Sequence, residues 1–222
     1  MCHGSCVEFG AISIAKEEIQ GKRVLEVGAC NVNGSLRRIV ESLKPSEYVG
    51  IDIAKGPGVD IVCNAEDMVE KFGKESFDFV ISTELLEHAE QWRKVVSNIK
   101  NVCKIDGFIL ITTRSKGFPY HGYPYDFWRY ELEDMKEIFS DFEIVKLEKD
   151  AEAPGVFLKA KKPNGFKEND LKKTSLYSIV SNRRVKTISK KDFQSMYFRQ
   201  LILKDKLKNF VLGVGRTVLS RM

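Results

Sequence analysis

RVLEVGACNVNGS, residues 23–35, is the stretch on which the fold turns. Arg23–Ala29 is close to a continuous apolar run, the pattern of a strand covered on both faces. Gly28 to Ser35 breaks that run with small residues, and Ser35–Leu43 resumes at helical spacing. A strand passing through a tight, small-residue turn into a helix opens a βαβ unit. It puts backbone N–H groups and a close-approach surface at the carboxyl end of the strand.

Working outward, the same alternation recurs. Tyr48–Ala54 and Asp60–Cys63 read as the second and third strands, Glu66–Phe72 as a helix and Phe77–Ser82 as the fourth strand. Gln91–Cys103 carries Trp92, Val95, Val96, Ile99 and Val102 at three- and four-residue spacing, so it predicts a helix packed on one sheet face. Phe108–Thr113 is the fifth strand. After the helical pattern of Glu131–Phe139, Phe142–Leu147 and Val156–Lys161 are joined through Pro154-Gly155. So short a connection makes that pair antiparallel, and the sheet is expected to end on one reversed strand. The expected fold is therefore α/β: a Rossmann-like, mostly parallel sheet with helices on both faces, an antiparallel last strand and a basic C-terminal helical tail. Residues 1–163 form the expected domain and 164–222 the extension.

Ligands of such sheets settle at the carboxyl ends of strands where the strand order reverses. The loop after the first strand is not a P-loop, because five residues separate Gly28 from Gly34 and Ser35 stands where lysine is required. Nor is it the dinucleotide fingerprint, which would need glycine at Cys30 and Asn33. Asp52 closes the second strand, where a carboxylate can accept both hydroxyls of a ribose; a solvated loop acid or cap is the plainer reading of that residue alone.

Taken together, VLEVGA…NGS, YVGIDI, NAED, FDFVISTELLEH and the closing hairpin resemble class I S-adenosylmethionine-dependent methyltransferases over about residues 20–162. The resemblance implies S-adenosylmethionine as cofactor. It implies that Glu26 and Gly28 lie under the methionine part, that Asp52 holds the ribose, and that Ala29, Asn33, Gly34 and Ile53 belong to the same cofactor site. Asn64, Ala65 and Glu66 would surround the adenine, and Ser82 and Thr83, at the end of the fourth strand, would line the methyl end with Glu84. Cys30 and Val32 depart from the family's E-x-G-x-G-x-G, as in a variant associated with surface-polysaccharide pathways.

Methyl transfer is an in-line displacement, so the protein's task is alignment, with a base for a hydroxyl acceptor. Residues 117–129, GFPYHGYPYDFWR, place aromatics, His121, Asp126 and Arg129 on a segment whose glycines and prolines forbid a regular helix. Tyr120, Tyr123, Tyr125, Asp126, Trp128 and Arg129 are the candidate acceptor contacts; the plainer reading makes the aromatics core and Asp126–Arg129 a structural pair. His121 is the first candidate base, since imidazole as a residue type changes charge near neutrality. His88 and Glu84 follow.

The whole chain of 222 residues carries a net charge of +5, unevenly spread. Residues 161–222 hold 16 Lys and Arg against 4 Asp and Glu, and the remainder 20 against 27. Phe193, Met196, Tyr197, Leu201, Leu207, Phe210 and Val214 recur at roughly helical spacing with Arg199, Lys204, Lys206 and Lys208 between them. Such a helix suits the domain surface, a second copy of the chain or an anionic membrane; nucleic acid is disfavoured, for no base-reading motif accompanies the charge. Five scattered cysteines form no disulfide framework, and Cys2, His3 and Cys6 lack further ligands, so no metal site is expected. With no signal-like segment and no apolar run of spanning length, the expected location is cytoplasmic, with a possible peripheral membrane contact. The expected activity is methyl transfer to an oxygen of a small molecule or glycan. A cofactor-binding scaffold without turnover and a nicotinamide oxidoreductase are the other readings.

Overall fold

The computed structural model describes residues 4–122 and 125–219, with side chains up to residue 208. Its elements are α1 (Gly4–Ser13), α2 (Lys16–Ile19), β1 (Arg23–Val27), α3 (Arg37–Ser42), β2 (Glu47–Asp52), β3 (Ile61–Val62), α4 (Met68–Phe72), β4 (Phe77–Thr83), α5 (Trp92–Val102) and β5 (Cys103–Arg114). They continue with β6 (Trp128–Arg129), α6 (Leu132–Ile138), β7 (Glu143–Lys149), β8 (Gly155–Lys161), β9 (Leu176–Ser178), β10 (Arg183–Val185), α7 (Lys190–Phe193) and α8 (Met196–Leu219). Seven strands form one sheet in the order β3-β2-β1-β4-β5-β8-β7. Strands β1 to β5 pair in parallel, while β8 runs antiparallel to both β5 and β7. The reversed strand thus lies inside the sheet rather than ending it: β7, parallel to β5, occupies the edge. The 7–8 hairpin folds back so that β8, apolar and buried along almost its length, takes the interior place, leaving the charged β7 outside.

Period-two alternation covers both faces. Val24, Phe79, Ile81 and Leu110 pack with Phe9, Leu36, Val40 and Phe157 on one side. Leu25, Val27, Val80, Ile109 and Ile111 pack with Trp92, Val95, Ile99, Met135 and Ile138 on the other. Helix α1, unforeseen because its apolar residues share no stripe, lies on the first face; Phe9 meets the Phe157 ring at a centroid separation of 4.9 Å.

The extension is tied to the same core. Strand β9 pairs with β6, and Leu171, Leu176, Ile179, Val180 and Val185 are buried with the α5 and α6 side chains, so the expected boundary at 163 falls inside a packed unit. Helix α8 seats Phe198 against Tyr120 and Phe193, whereas Met196 and Leu207 are exposed. The side chains of Phe210 and Val214 lie outside the described residues. Among the described residues no helix is long and apolar enough to cross a membrane.

Candidate active site

The strand order reverses between β1 and β4, and there the carboxyl ends of β1, β2 and β4 surround a cleft of about 470 Å3. Small-molecule sites span roughly 300–1,000 Å3. Glu26, Gly28 and Gly34 line it from the first strand and its loop, Asp52 and Ile53 from the second, and Asn64, Ala65 and Glu66 from the turn after the third. Thr83, Glu84 and His88 line it from the fourth. Of the residues expected around the cofactor, Ala29, Asn33 and Ser82 do not line it. Ala29 and Ser82 point into the protein, and Asn33 is exposed. Residues that sequence reasoning missed also face the cleft, among them Cys30, Val32, Cys63, Leu85, Gly122 and Phe127. The first two stand at the departures from the family's glycine pattern, which is the signal that marked that loop.

The loop after β1 is held by its own polar groups. The Gly28 and Ala29 amides both donate to the Ile51 carbonyl at 2.9 Å, and Asp52 Oδ2 accepts from the Cys30 amide at 3.2 Å. Gly28 has φ +81°, where an L side chain is strained, and an added Cβ would sit 3.1 Å from Leu85 Cδ1. The glycine is therefore what lets β1 and the end of β4 approach.

Glu26 is 2% exposed and shares its strand face with Val24. Burial raises its carboxyl pKa to about 7, against hydrogen bonds from Tyr48 Oη at 2.7 Å and Ser35 Oγ at 3.4 Å and the Arg37 charge. Glu84 has φ +54°, a conformation costing ~1–3 kcal/mol outside glycine. It turns the chain sharply from β4 into the 3-10 turn Leu86–His88. Its side chain is buried, pairs with the Arg114 guanidinium and accepts from Thr112 Oγ1 at 3.2 Å. Cys6 of α1 lies 3.4 Å away. Burial raises the Glu84 pKa, the neighbouring Glu87 adds to the rise, and Arg114 opposes it. Engaged in this way, Glu84 is an anchor for α1, β4 and β5.

The segment after β5 divides in two. Tyr125, 55% exposed, lines the cleft beside Gly122. Tyr123 lies outside the described residues, as do Cys2 and His3. Tyr120, Asp126, Trp128 and Arg129, expected as acceptor contacts, are all buried and do not line the cleft. Trp128 donates its indole N–H to the Glu90 carbonyl at 3.2 Å, and Tyr120 packs on Phe198. Arg129 binds both Asp126 oxygens, at 2.5 and 2.9 Å, together with the carbonyls of Trp128, Pro119 and Phe118. Burial works to raise the Asp126 pKa, but the hydrogen bonds from Arg129 and His121 hold it at about 2. These four residues therefore brace the segment from within, because an ion pair with every donor satisfied is stable in the interior where an unpaired charge is not.

Bracing fixes His121. Its amide donates to Asp126 Oδ2 at 2.8 Å and its Nδ1 lies 3.1 Å from the same oxygen. His121 does not itself line the cleft, but its ring stands edge-on to that of His88, which does, at 4.8 Å between centroids. The two candidate bases, 33 positions apart in the chain, are neighbours.

A family model described as a methyltransferase domain matches residues 11–185. Among solved structures, the 1,6-didemethyltoxoflavin-N1-methyltransferase of Burkholderia thailandensis, with bound 1,6-didemethyltoxoflavin and S-adenosylhomocysteine, is similar at a TM-score of 0.59 and 14% identity. The match covers 71% of this chain and 78% of that one. An S-adenosylmethionine-dependent methyltransferase from Mesorhizobium loti matches at 0.53 and 16%, over 70% and 98% of the two chains. The phosphoethanolamine N-methyltransferase 2 of Haemonchus contortus, in complex with S-adenosylmethionine, matches at 0.52 and 18%, over 69% and 52%. At these identities the likeness is one of fold. Among curated proteins none matches the chain.

Proposed function

The chain belongs to the methyltransferase-domain family, and from that membership we propose that it transfers the methyl group of S-adenosylmethionine to an oxygen of a small molecule or glycan. The observation that carries the cofactor assignment is one continuous cleft presenting Asp52, the Gly28 backbone and the buried Glu26 carboxyl along its length. Those groups suit, in order, a pair of sugar hydroxyls, a closely approaching chain and a cationic amine. Ile53, 61% exposed at the rim of the cleft, and Ala65 offer apolar surface to a base. The bound cofactor supplies a methyl carbon already activated by its sulfonium, so the protein's own contribution is placement, worth ~7–11 kcal/mol of the barrier when alignment is good.

Beyond Glu84 and Leu85 the cleft opens on His88, Gly122 and Tyr125. Tyr125 presents an exposed ring on which a sugar or planar acceptor can stack. His88, with His121 behind it, is the group positioned to accept the proton of an acceptor hydroxyl. An oxygen acceptor is favoured because a hydroxyl keeps its proton at neutral pH and its oxygen becomes a stronger nucleophile as a neighbouring base takes that proton.

Calorimetry with S-adenosylmethionine tests the assignment: a single site is expected, and absence of binding at millimolar concentration overturns it. Release of S-adenosylhomocysteine with any hydroxyl acceptor then separates an enzyme from a scaffold that only binds. The raised Glu26 pKa adds a pH signature. Below about 7 its carboxyl holds a proton and offers a cation no countercharge; above it the group is ionised and attracts the cofactor's amine. Affinity is expected to rise between pH 6 and 7.5 by as much as ~8-fold, and to be flat over that range in Glu26→Gln. A flat profile in the wild type would detach Glu26 from the ligand.

A further inference from the structure

We propose that Glu87, His88 and His121 form a binding site for a divalent transition-metal ion, of the zinc class, at the acceptor end of the cleft. One donor atom from each lies within 4.8 Å of the other two. Three donors on a tetrahedral zinc stand ~3.3 Å apart, so side-chain rotations of about an ångström close the set.

Three features besides proximity point to a cation. The first is the state of Glu87. Its side chain is fully buried, and while Oε2 accepts from Thr113 Oγ1 at 2.8 Å, Oε1 has no hydrogen-bonding partner among the described residues. His88 Nε2 stands 3.9 Å from that oxygen. A buried carboxyl oxygen left without a partner costs ~1–3 kcal/mol, and a cation between it and the imidazole removes the cost.

The second feature is the tautomer. His88 Nδ1 lies against the Tyr125 carbonyl, which can only accept, so Nδ1 carries the proton and Nε2 keeps its lone pair. His121 Nδ1 faces Asp126 Oδ2 at 3.1 Å and the Pro119 carbonyl at 3.2 Å, again acceptors only. Both rings are therefore held with Nε2 as the free donor. One is oriented by a backbone carbonyl and the other by a carboxylate, the supports that metal-bound histidines use to fix ring and tautomer.

The third is placement. Both imidazoles are partly exposed, with His88 on the cleft wall, so an ion held there has open positions toward a bound acceptor. Two imidazoles and one carboxylate on one side of an ion, with the other side open, suit zinc, iron(II) or manganese. Magnesium, which prefers an all-oxygen shell, fits poorly. The role of the ion rests on the methyl-transfer reading above; its binding does not. In place of His88, whose free nitrogen it occupies, the ion would polarise an acceptor hydroxyl, so that the C–O bond forms as the C–S bond of the sulfonium breaks, S-adenosylhomocysteine leaves and the hydroxyl proton passes to the solvent at the open side of the cleft.

The chain has three histidines, so the test can be read residue by residue in the wild type. In imidazole 15N NMR of the full chain without cofactor, the His88 and His121 rings are expected to show the Nδ1-protonated tautomer. Zinc should shift both to completion at one equivalent, while His3 does not move with them. Calorimetry with zinc should give one site, weakened at least tenfold in each of Glu87→Gln, His88→Gln and His121→Gln and retained in Cys6→Ser; millimolar magnesium should not displace it. The proposal is overturned if neither imidazole responds, if His3 alone responds, or if folded His88→Gln and His121→Gln bind zinc as the wild type does. Because the titration omits the cofactor, its failure leaves the S-adenosylmethionine measurement standing, and the reverse holds too.

Discussion

Replacing Arg129 by methionine is expected to cost the fold ~3–5 kcal/mol, the penalty for stranding one partner of a buried ion pair. Arg129 and Asp126 are 1% and 0% exposed, and the guanidinium donates to both carboxylate oxygens and three backbone carbonyls. Methionine fills much of the volume but supplies no donor, so the buried carboxylate loses its countercharge and keeps only the His121 donors, while the carbonyls lose the guanidinium. For a chain of this size the loss corresponds to a fall in melting temperature of roughly 6–20 °C. Arg129→Lys should recover only part of it, because an ammonium cannot match the planar fork that spans Asp126 and the carbonyls. Thermal or urea unfolding checks this, and a methionine variant within 1 kcal/mol of the wild type would show that the pair does not brace the segment. Since His121 hangs from Asp126 by its amide and its ring, the same variant should also lose zinc affinity at temperatures where it remains folded.

Asp52→Ala is expected to weaken S-adenosylmethionine binding by ~1.5–3 kcal/mol, about 10- to 150-fold, the usual worth of a hydrogen bond to a charged group. Asp52 terminates β2 half-exposed in the cleft wall, with Oδ2 on the Cys30 amide and Oδ1 3.4 Å from the Ala54 amide. Both contacts leave lone pairs for ligand hydroxyls. Asp52→Asn keeps the shape and one acceptor oxygen, so it should fall between the wild type and alanine. As the residue is neither buried nor in an ion pair, unfolding should change by less than about 1 kcal/mol, which separates a binding loss from a folding one. Equal affinity in the alanine variant would mean that the sugar lies elsewhere in the cleft.

Much of this site is readable one residue at a time. Glu26 follows from the family resemblance, while Gly28 and Asp52 are placed by rules of short range: a small-residue turn and the acid that closes the following strand. Their spacing survives whatever the rest of the chain does. The segment 117–129 resists the same treatment. Loops usually lie on the surface, which favoured contact roles for Asp126, Trp128 and Arg129. Their burial follows from the docking of β9 on β6 and of α8 on Tyr120, contacts made by residues some 50 to 80 positions further along. Helix α1 escaped notice for a related reason, since it is clamped by long-range partners, Ser5 to Asp150 and Cys6 to Glu84, rather than marked by an apolar stripe.

By itself the amino-acid order determined the alternating parallel core, the antiparallel pairing of the closing hairpin and the ligand end of the sheet, because hydrophobic period, turn chemistry and connection length act over a few residues. Only the tertiary structure decided that β8 enters the sheet interior, that Asp126 and Arg129 face inward, and that Glu87 and His88 meet His121. Burial and donor geometry are sums over neighbours that the chain brings together from far apart, and no local pattern carries them.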